Sequence, residues 1–337
     1  MNEIGNEAFM DVLHWFDRLA NWFRSLFSSK NEPVNRNVLV ITFAPRIPSL
    51  GNLPLHEAMA GWNNPDTLVR QLIDDMRDSS NGYANFNVVE QVVSTDFTPM
   101  SSGEHYTPDL YLSAMADHQA KIEDRADYAA ILNQYDVVNK IHNGMIDEVW
   151  LMGYPFAGFN ESRMGGPGAF FCNGDPLPGT EQAGRRFIVM GFNYERGVGE
   201  MLESIAHRAE FILDKLFAGK TGEVNLYERF TRIDWDHPGQ AEVGTVHHGP
   251  NAILTPDRDD HQWTETRTVP SRHKTWYQYP DLSGAPEPTN CDAWREADMT
   301  RGHHKWWFRH FPHVEGQTNG IANNWWKYIL DPDLIWP

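Results

Sequence analysis

Three side chains that recur at helical spacing are the strongest candidates for chemistry. Glu203, His207 and Glu210 are four and three positions apart, so on a helix they lie on one face. In His207-Arg-Ala-Glu210, an imidazole and a carboxylate three residues apart can reach a single cation. The sequence therefore predicts that His207 and Glu210 are ligands of a divalent metal ion, with zinc as the first candidate.

A third ligand is expected from His247, in the segment Val246-His-His-Gly-Pro-Asn251. Two histidines and one glutamate leave a fourth coordination position open for water, which is typical of hydrolytic zinc sites. Glu203, one turn before His207, would then act as general base or hold the imidazole. Since HExxH is absent, a solvated helix face remains an alternative interpretation of the same pattern.

Glycoside cleavage is a second catalytic hypothesis, because it requires two carboxylates roughly 5 to 10 Å apart. Glu148 lies in a predicted strand, Glu161 in a glycine-rich loop, and Glu195 just after a later strand. These three could converge at one sheet edge, where two of them would act as acid and as nucleophile or base.

Glycan binding or self-assembly without catalysis is the hypothesis from a different class. The C-terminal part is rich in aromatic residues that could form platforms for sugar rings, although core packing is their commoner role. These residues are Trp276, Tyr277, Tyr279, Trp294, Trp306, Trp307, Trp325 and Trp326.

The helix that carries Glu203 and His207 is predicted over 199–217, with a broad apolar face and a narrow polar stripe. A strand at 186–191 precedes it. Upstream, strands at 38–44, 86–93 and 146–152 alternate with helices at 67–78 and 128–141. This order predicts an α/β fold, with a mostly parallel sheet flanked by helices. From about residue 227, we expect a loop-rich, Trp- and His-rich C-terminal third packed on the sheet.

Ligands of open parallel sheets bind outside the carboxyl ends of the strands. Three loops are expected at that edge, at 45–53, 153–168 and 192–199. The second contains Glu161 and Arg163 among several glycines, which allow close backbone approach to a ligand. It lacks the spacing of a phosphate-binding loop, so a plain connecting loop is the alternative.

We expect one α/β domain over 38–337, preceded by an amphipathic helix at 1–30 and a linker at 31–37. Aromatic residues of that helix could dock on the protein's own body or support self-association. Asp11, His14 and Asp17 interrupt its apolar run, so no signal peptide is visible. The sequence contains no run of 18 apolar residues, so we expect no transmembrane segment.

The formal net charge of −18 repels phosphate backbones, so we expect no nucleic-acid partner. Cys172 and Cys291 are the two cysteines, and they are compatible with one disulfide or with two free thiols. No CxxC pattern is present, which argues against a thiolate zinc site.

Several segments are similar to a family of uncharacterised, often exported proteins of bacteria and fungi. The segments are Asp147-Glu-Val-Trp150, Glu161-Ser-Arg-Met-Gly-Gly-Pro-Gly-Ala169, Gly191-Phe-Asn-Tyr-Glu-Arg-Gly197 and Glu203-Ser-x-x-His-Arg-x-Glu210. The similarity extends from about residue 38 to the end. It implies a shared fold, an extracellular location and a candidate disulfide between Cys172 and Cys291, and it brings no activity with it. The first hypothesis is thus a metal-dependent hydrolase acting on an extracellular peptide or glycan.

Overall fold

A computed structural model describes residues 32–118, 121–258 and 260–335. The predicted N-terminal helix at 1–30 lies outside these residues, so the structure does not bear on the predicted self-association through it.

A five-stranded sheet forms the centre of the fold. Its order is β2-β1-β3-β5-β4, and all neighbouring strands are parallel except β4, which runs antiparallel to β5 at the edge. This confirms the predicted α/β fold with a mostly parallel sheet. The strands are β1 (Val34–Phe43), β2 (Ala84–Ser94), β3 (Glu148–Gly153), β4 (Ser162–Gly165) and β5 (Phe187–Asn193).

Helices connect the strands as an α/β order requires. They are α1 (Leu55–Ala58), α2 (Pro65–Ser79), α3 (Pro108–Ala116), α4 (Tyr128–Gln134), α5 (Val137–His142) and α6 (Val198–Phe217). All six residues of β3 are buried, because both faces of the parallel sheet are covered. None of the described helices is long and apolar enough to cross a membrane.

Two local predictions were wrong. The helix expected at 128–141 is divided into α4 and α5, because Asp136 adopts a left-handed backbone with φ of 53°. The glycine-rich loop at 153–168 contains β4, whose short length hides the periodicity of a strand. Its main chain pairs with β5 from Ser162 opposite Met190 to Gly165 opposite Phe187.

The part of the chain after α6 consists of short elements and connecting segments. They are α7 (Leu226–Phe230), β6 (Val269–Ser271), β7 (Glu287–Thr289), α8 (Met299–Arg309), β8 (His313–Thr318), β9 (Ile321–Asn324) and α9 (Trp326–Leu330). The strands form two antiparallel pairs, β6 with β7 and β8 with β9. The longest helix in this part of the chain, α8, packs against α6, the helix that carries Glu203 and His207.

The proposed aromatic platforms are mostly core. All six tryptophans among them are buried, including both rings of each doublet. Of the eight aromatic residues, only Tyr277 is largely exposed. The tryptophans pack edge to face or tilted on one another and on Phe230 and Phe311, a geometry that contributes beyond the area it buries. These tryptophans therefore stabilise the fold and offer no surface to a sugar.

The disulfide implied by the resemblance is not formed. Cys172 and Cys291 are both free and buried. The sulfur of Cys172 lies 3.6 Å from the Ser162 hydroxyl, and that of Cys291 lies 3.6 Å from the Arg295 guanidinium. Burial raises the pKa of the Cys172 thiol to about 11, which leaves it protonated and unreactive at neutral pH.

Candidate metal centre

Helix α6 carries two of the predicted site residues into a cavity rather than into bulk solvent. It begins at a turn in which the Glu200 carboxylate accepts the Gly197 N–H at 3.0 Å. Glu203 is buried, with 6 % of its surface exposed, and His207 is half-buried. The polar stripe of this helix is therefore not uniformly solvated, because only its end at Asp214 is exposed.

The third predicted ligand comes from the segment between α7 and β6. Gly244, with φ of 98°, allows a turn in which a Cβ would lie 2.2 Å from the His248 carbonyl oxygen, so only glycine fits there. The Gln262 N–H donates to the His247 carbonyl at 3.1 Å. This bond ties His247 to the segment of Asp260 and His261, and the side chains of His247 and His261 contact α6.

The ligand atoms of Glu203, His207 and His247 converge. The Nε2 atoms of the two histidines are 3.0 Å apart, and His247 Nε2 is 3.2 Å from Glu203 Oε1. In a tetrahedral zinc site with bonds of about 2.0–2.1 Å, neighbouring ligand atoms are about 3.3 Å apart. These three residues can therefore hold a metal ion.

Carboxylates fix the orientation of both imidazoles. His207 Nδ1 lies 3.1 Å from Glu210 Oε2, and His247 Nδ1 lies 2.7 Å from Asp260 Oδ2. Because an ionised carboxylate only accepts hydrogen bonds, each Nδ1 carries the proton. The Nε2 atoms of the two rings then face each other, and a cation or a proton must lie between them.

The electrostatics of the centre favour charged forms. Burial alone would raise the pKa of Glu203, but the hydrogen bond from His247 and the nearby His304 and His261 lower it to about 2. For His247, burial is outweighed by Glu203 and Asp260, which raise its pKa. The Glu203 carboxylate thus accepts a hydrogen bond from a proton-bearing His247 Nε2 in the absence of a metal ion, and a divalent cation bound there would displace this proton.

Both imidazole ligands border a cavity of about 440 Å³. It opens at the carboxyl ends of β3 and β5, where ligands of parallel sheets are expected. Glu203, Glu161 and His261 also line it. A ligand in this cavity would have direct access to the metal centre.

The other predicted carboxylates occupy different environments. Glu161 lies 3.8 Å from His207 Nε2 and accepts a bond from the Asn173 amide. Glu195 is exposed and does not belong to the cavity lining. Glu148 is at the amino end of β3, buried in an ion pair with Arg208 at 3.0 Å. The expectation that Glu148 would join the others at one sheet edge was wrong, because it begins its strand rather than ending it.

Sequence reasoning missed Asp260 and His261. His261 Nε2 lies 3.1 Å from Glu203 Oε1, and its ring centroid is 4.3 Å from that of His247. Both residues belong to a segment without helical or strand periodicity. The adjacency of an acid and an imidazole was the one available signal, and it is too common to be specific.

Comparison with known proteins adds no relative to this description: no family model, curated protein or solved structure matches the chain.

Proposed function

We propose that this protein is a metal-dependent hydrolase whose metal ion is bound by Glu203, His207 and His247. The observation that carries the proposal is that one ligand atom from each of two imidazoles and a buried carboxylate all lie within 4.8 Å of one another. Zinc is the first candidate, because one carboxylate and two imidazoles form a common catalytic zinc site.

The geometry supports exchanging two of the predicted roles. Glu203 offers its oxygen to the ligand cluster, whereas Glu210 contacts Nδ1 of His207, on the far side of the ring from the cluster. Glu210 and Asp260 are then positioning residues that set the tautomer of the ligands and increase their basicity. Glu203 becomes a ligand instead of the general base.

Hydrolysis is the chemistry that a metal ion held by Glu203, His207 and His247 beside this cavity would support, because it would supply Lewis-acid activation of water and of a carbonyl or acetal group. Glu161 is the base that this proposal assigns, since its carboxylate borders the cavity and lies 3.8 Å from His207 Nε2. The substrate would be an extracellular peptide or glycan, and the part of the chain after α6 contributes His247 and His261 to the cavity lining.

Glycan binding without catalysis has one supporting observation. A second cavity, of about 560 Å³, is bordered by the exposed Tyr277 and by polar groups that include Asn290, Asp292 and Arg309. An aromatic face beside hydrogen-bonding groups can bind a sugar ring. A screen of glycan binding with wild type and Tyr277→Ala tests this alternative, which requires binding that the substitution abolishes.

Metal content tests the first proposal. We expect about one equivalent of a transition metal in protein purified without a histidine tag, measured by inductively coupled plasma mass spectrometry. The metal should be lost in His207→Ala and retained in His237→Ala, which removes a partly exposed histidine outside the centre. Wild-type protein that takes up no transition metal, even when supplied with excess zinc, would contradict the proposal.

A further inference from the structure

One wall of the cavity beside the metal centre is apolar. Tyr154, Phe156 and Phe159 follow β3, Phe192 is the last but one residue of β5, and Met201 is on α6. Polar side chains, among them Asn193, Arg196 and Ser204, line the rest of the cavity. A sugar ring placed against the apolar wall would bury hydroxyl groups there without hydrogen-bond partners, which costs free energy for each group. An apolar side chain would instead gain free energy by leaving water.

Phe156 shows that this wall is held in position. Its φ of 67° is in the left-handed region, where a bulky residue is strained by about 1–3 kcal/mol and persists only if its surroundings hold it. Its ring lies against His118 at 5.4 Å and beneath the Lys121 ammonium at 5.9 Å. A strained aromatic residue that borders a cavity points to ligand contact.

Phe159 is fixed by two glycines. A Cβ on Gly153 would lie 2.6 Å from its ring, and one on Gly191 would lie 2.6 Å from its Cβ. The backbone of β3 and β5 therefore approaches this side chain closely. The aromatic wall is thus preformed, so little conformational entropy of the protein is lost when a ligand binds to it.

The charges of the cavity argue against an anionic substrate. Among the described residues of its lining, Arg196 has the one permanent positive charge, and its guanidinium lies 3.4 Å from Glu200. Glu161 adds negative charge beside the metal ligands, whereas the charge of Glu203 would be offset by the bound metal ion. A phosphate ester or an acidic glycan would meet repulsion from the Glu161 carboxylate.

We propose that the substrate is a peptide with an aromatic or branched apolar side chain next to the cleaved amide. This inference rests on the proposed function. The amide carbonyl would reach the metal centre while the side chain contacts Phe156 and Phe159. Water adds across the amide: a C–O bond forms, the C–N bond breaks, and the nitrogen leaves as an amine after taking a proton from the attacking water.

Hydroxamic acids of different shape test the inference, because the hydroxamate group binds zinc and its substituent probes the cavity. We would titrate the zinc-loaded protein with acetohydroxamate, 3-phenylpropionohydroxamate and gluconohydroxamate by calorimetry. We expect the phenyl compound to bind about 30-fold more tightly than acetohydroxamate, equivalent to about 2 kcal/mol, as burial of an aromatic side chain implies. The sugar-derived compound should gain nothing.

Phe156→Ala should reduce this preference about fivefold and leave the affinity for acetohydroxamate unchanged. Phe156→Gly is the second variant, since glycine adopts a positive φ without strain. Phe171→Ala is the control, because Phe171 is exposed and outside the cavity lining. Equal affinities for all three compounds, or tightest binding of gluconohydroxamate, would overturn the peptide proposal alone. No binding of any hydroxamate would overturn the zinc centre, and the peptide proposal with it.

Discussion

Replacement of Glu210 tests whether this residue orients the ligand His207 or is itself a ligand of the metal ion. Its carboxylate lies 3.1 Å from His207 Nδ1 and is about one quarter exposed. Glu210→Ala leaves Nδ1 without this partner, so the imidazole can rotate or change tautomer. Loss of such a partner typically costs 10–100-fold in metal affinity, or about 1.4–2.7 kcal/mol. We expect the lower half of that range, because solvent screens a partly exposed pair.

Glu210→Gln sharpens the comparison, because an amide oxygen still accepts the Nδ1 proton. The zinc affinity of Glu210→Gln should therefore stay within about fivefold of wild type. Removal of a metal ligand would lower the zinc affinity far more. Zinc affinity is measured by competition with a chromophoric chelator, and Asp214→Asn, on the same helix, controls for the loss of a nearby negative charge. A decrease beyond about a thousandfold in Glu210→Gln would make Glu210 a ligand. An unchanged affinity in Glu210→Ala would refute the orienting role.

Two further predictions concern stability. Glu148→Gln should lower the free energy of unfolding by about 3–5 kcal/mol, because it leaves the Arg208 charge in a buried site without its partner. Urea denaturation measures this free energy. A loss below about 1 kcal/mol would contradict a stabilising role of the ion pair. Burial lowers the pKa of His273 to about 4 and that of His310 to about 3, below the value of about 6.5 in an unfolded chain. The unfolded state therefore binds protons first as the pH falls, and stability should decline below pH 6.5 by about 2–3 kcal/mol for each histidine down to pH 4.5. Urea midpoints against pH should show a shallower decline in His310→Gln, and an equal decline would contradict this explanation.

Strands β1, β3 and β5 could be predicted because they contain continuous apolar runs. Val38 to Phe43 and the whole of β3 are buried on both faces, and such runs identify themselves without tertiary information. Helix α6 was equally visible from its apolar face. The short strand β4 could not be predicted, since four residues that end in Gly165 and are followed by Gly166 show no periodicity. Its position depends on pairing with β5, which is a tertiary interaction.

The metal centre could be predicted in part for a similar reason. The spacing of Glu203, His207 and Glu210 places them on one helical face, but it cannot say which carboxylate faces the cavity. That choice depends on where His247 approaches, and His247 is held by a loop whose geometry depends on Gly244. Asp260 and His261 could not be predicted, because the fold of that loop alone brings Asp260 to His247 and His261 to Glu203.

X-ray absorption at the zinc edge, on protein loaded with one equivalent of zinc, tests the metal centre most directly. We expect the zinc ion to have nitrogen and oxygen neighbours at about 2.0–2.1 Å and no sulfur neighbour. Multiple scattering from two imidazoles is expected in wild type and from one in His247→Ala. A shell without imidazole, or a wild-type spectrum that His247→Ala leaves unchanged, would contradict the assignment of Glu203, His207 and His247 as ligands.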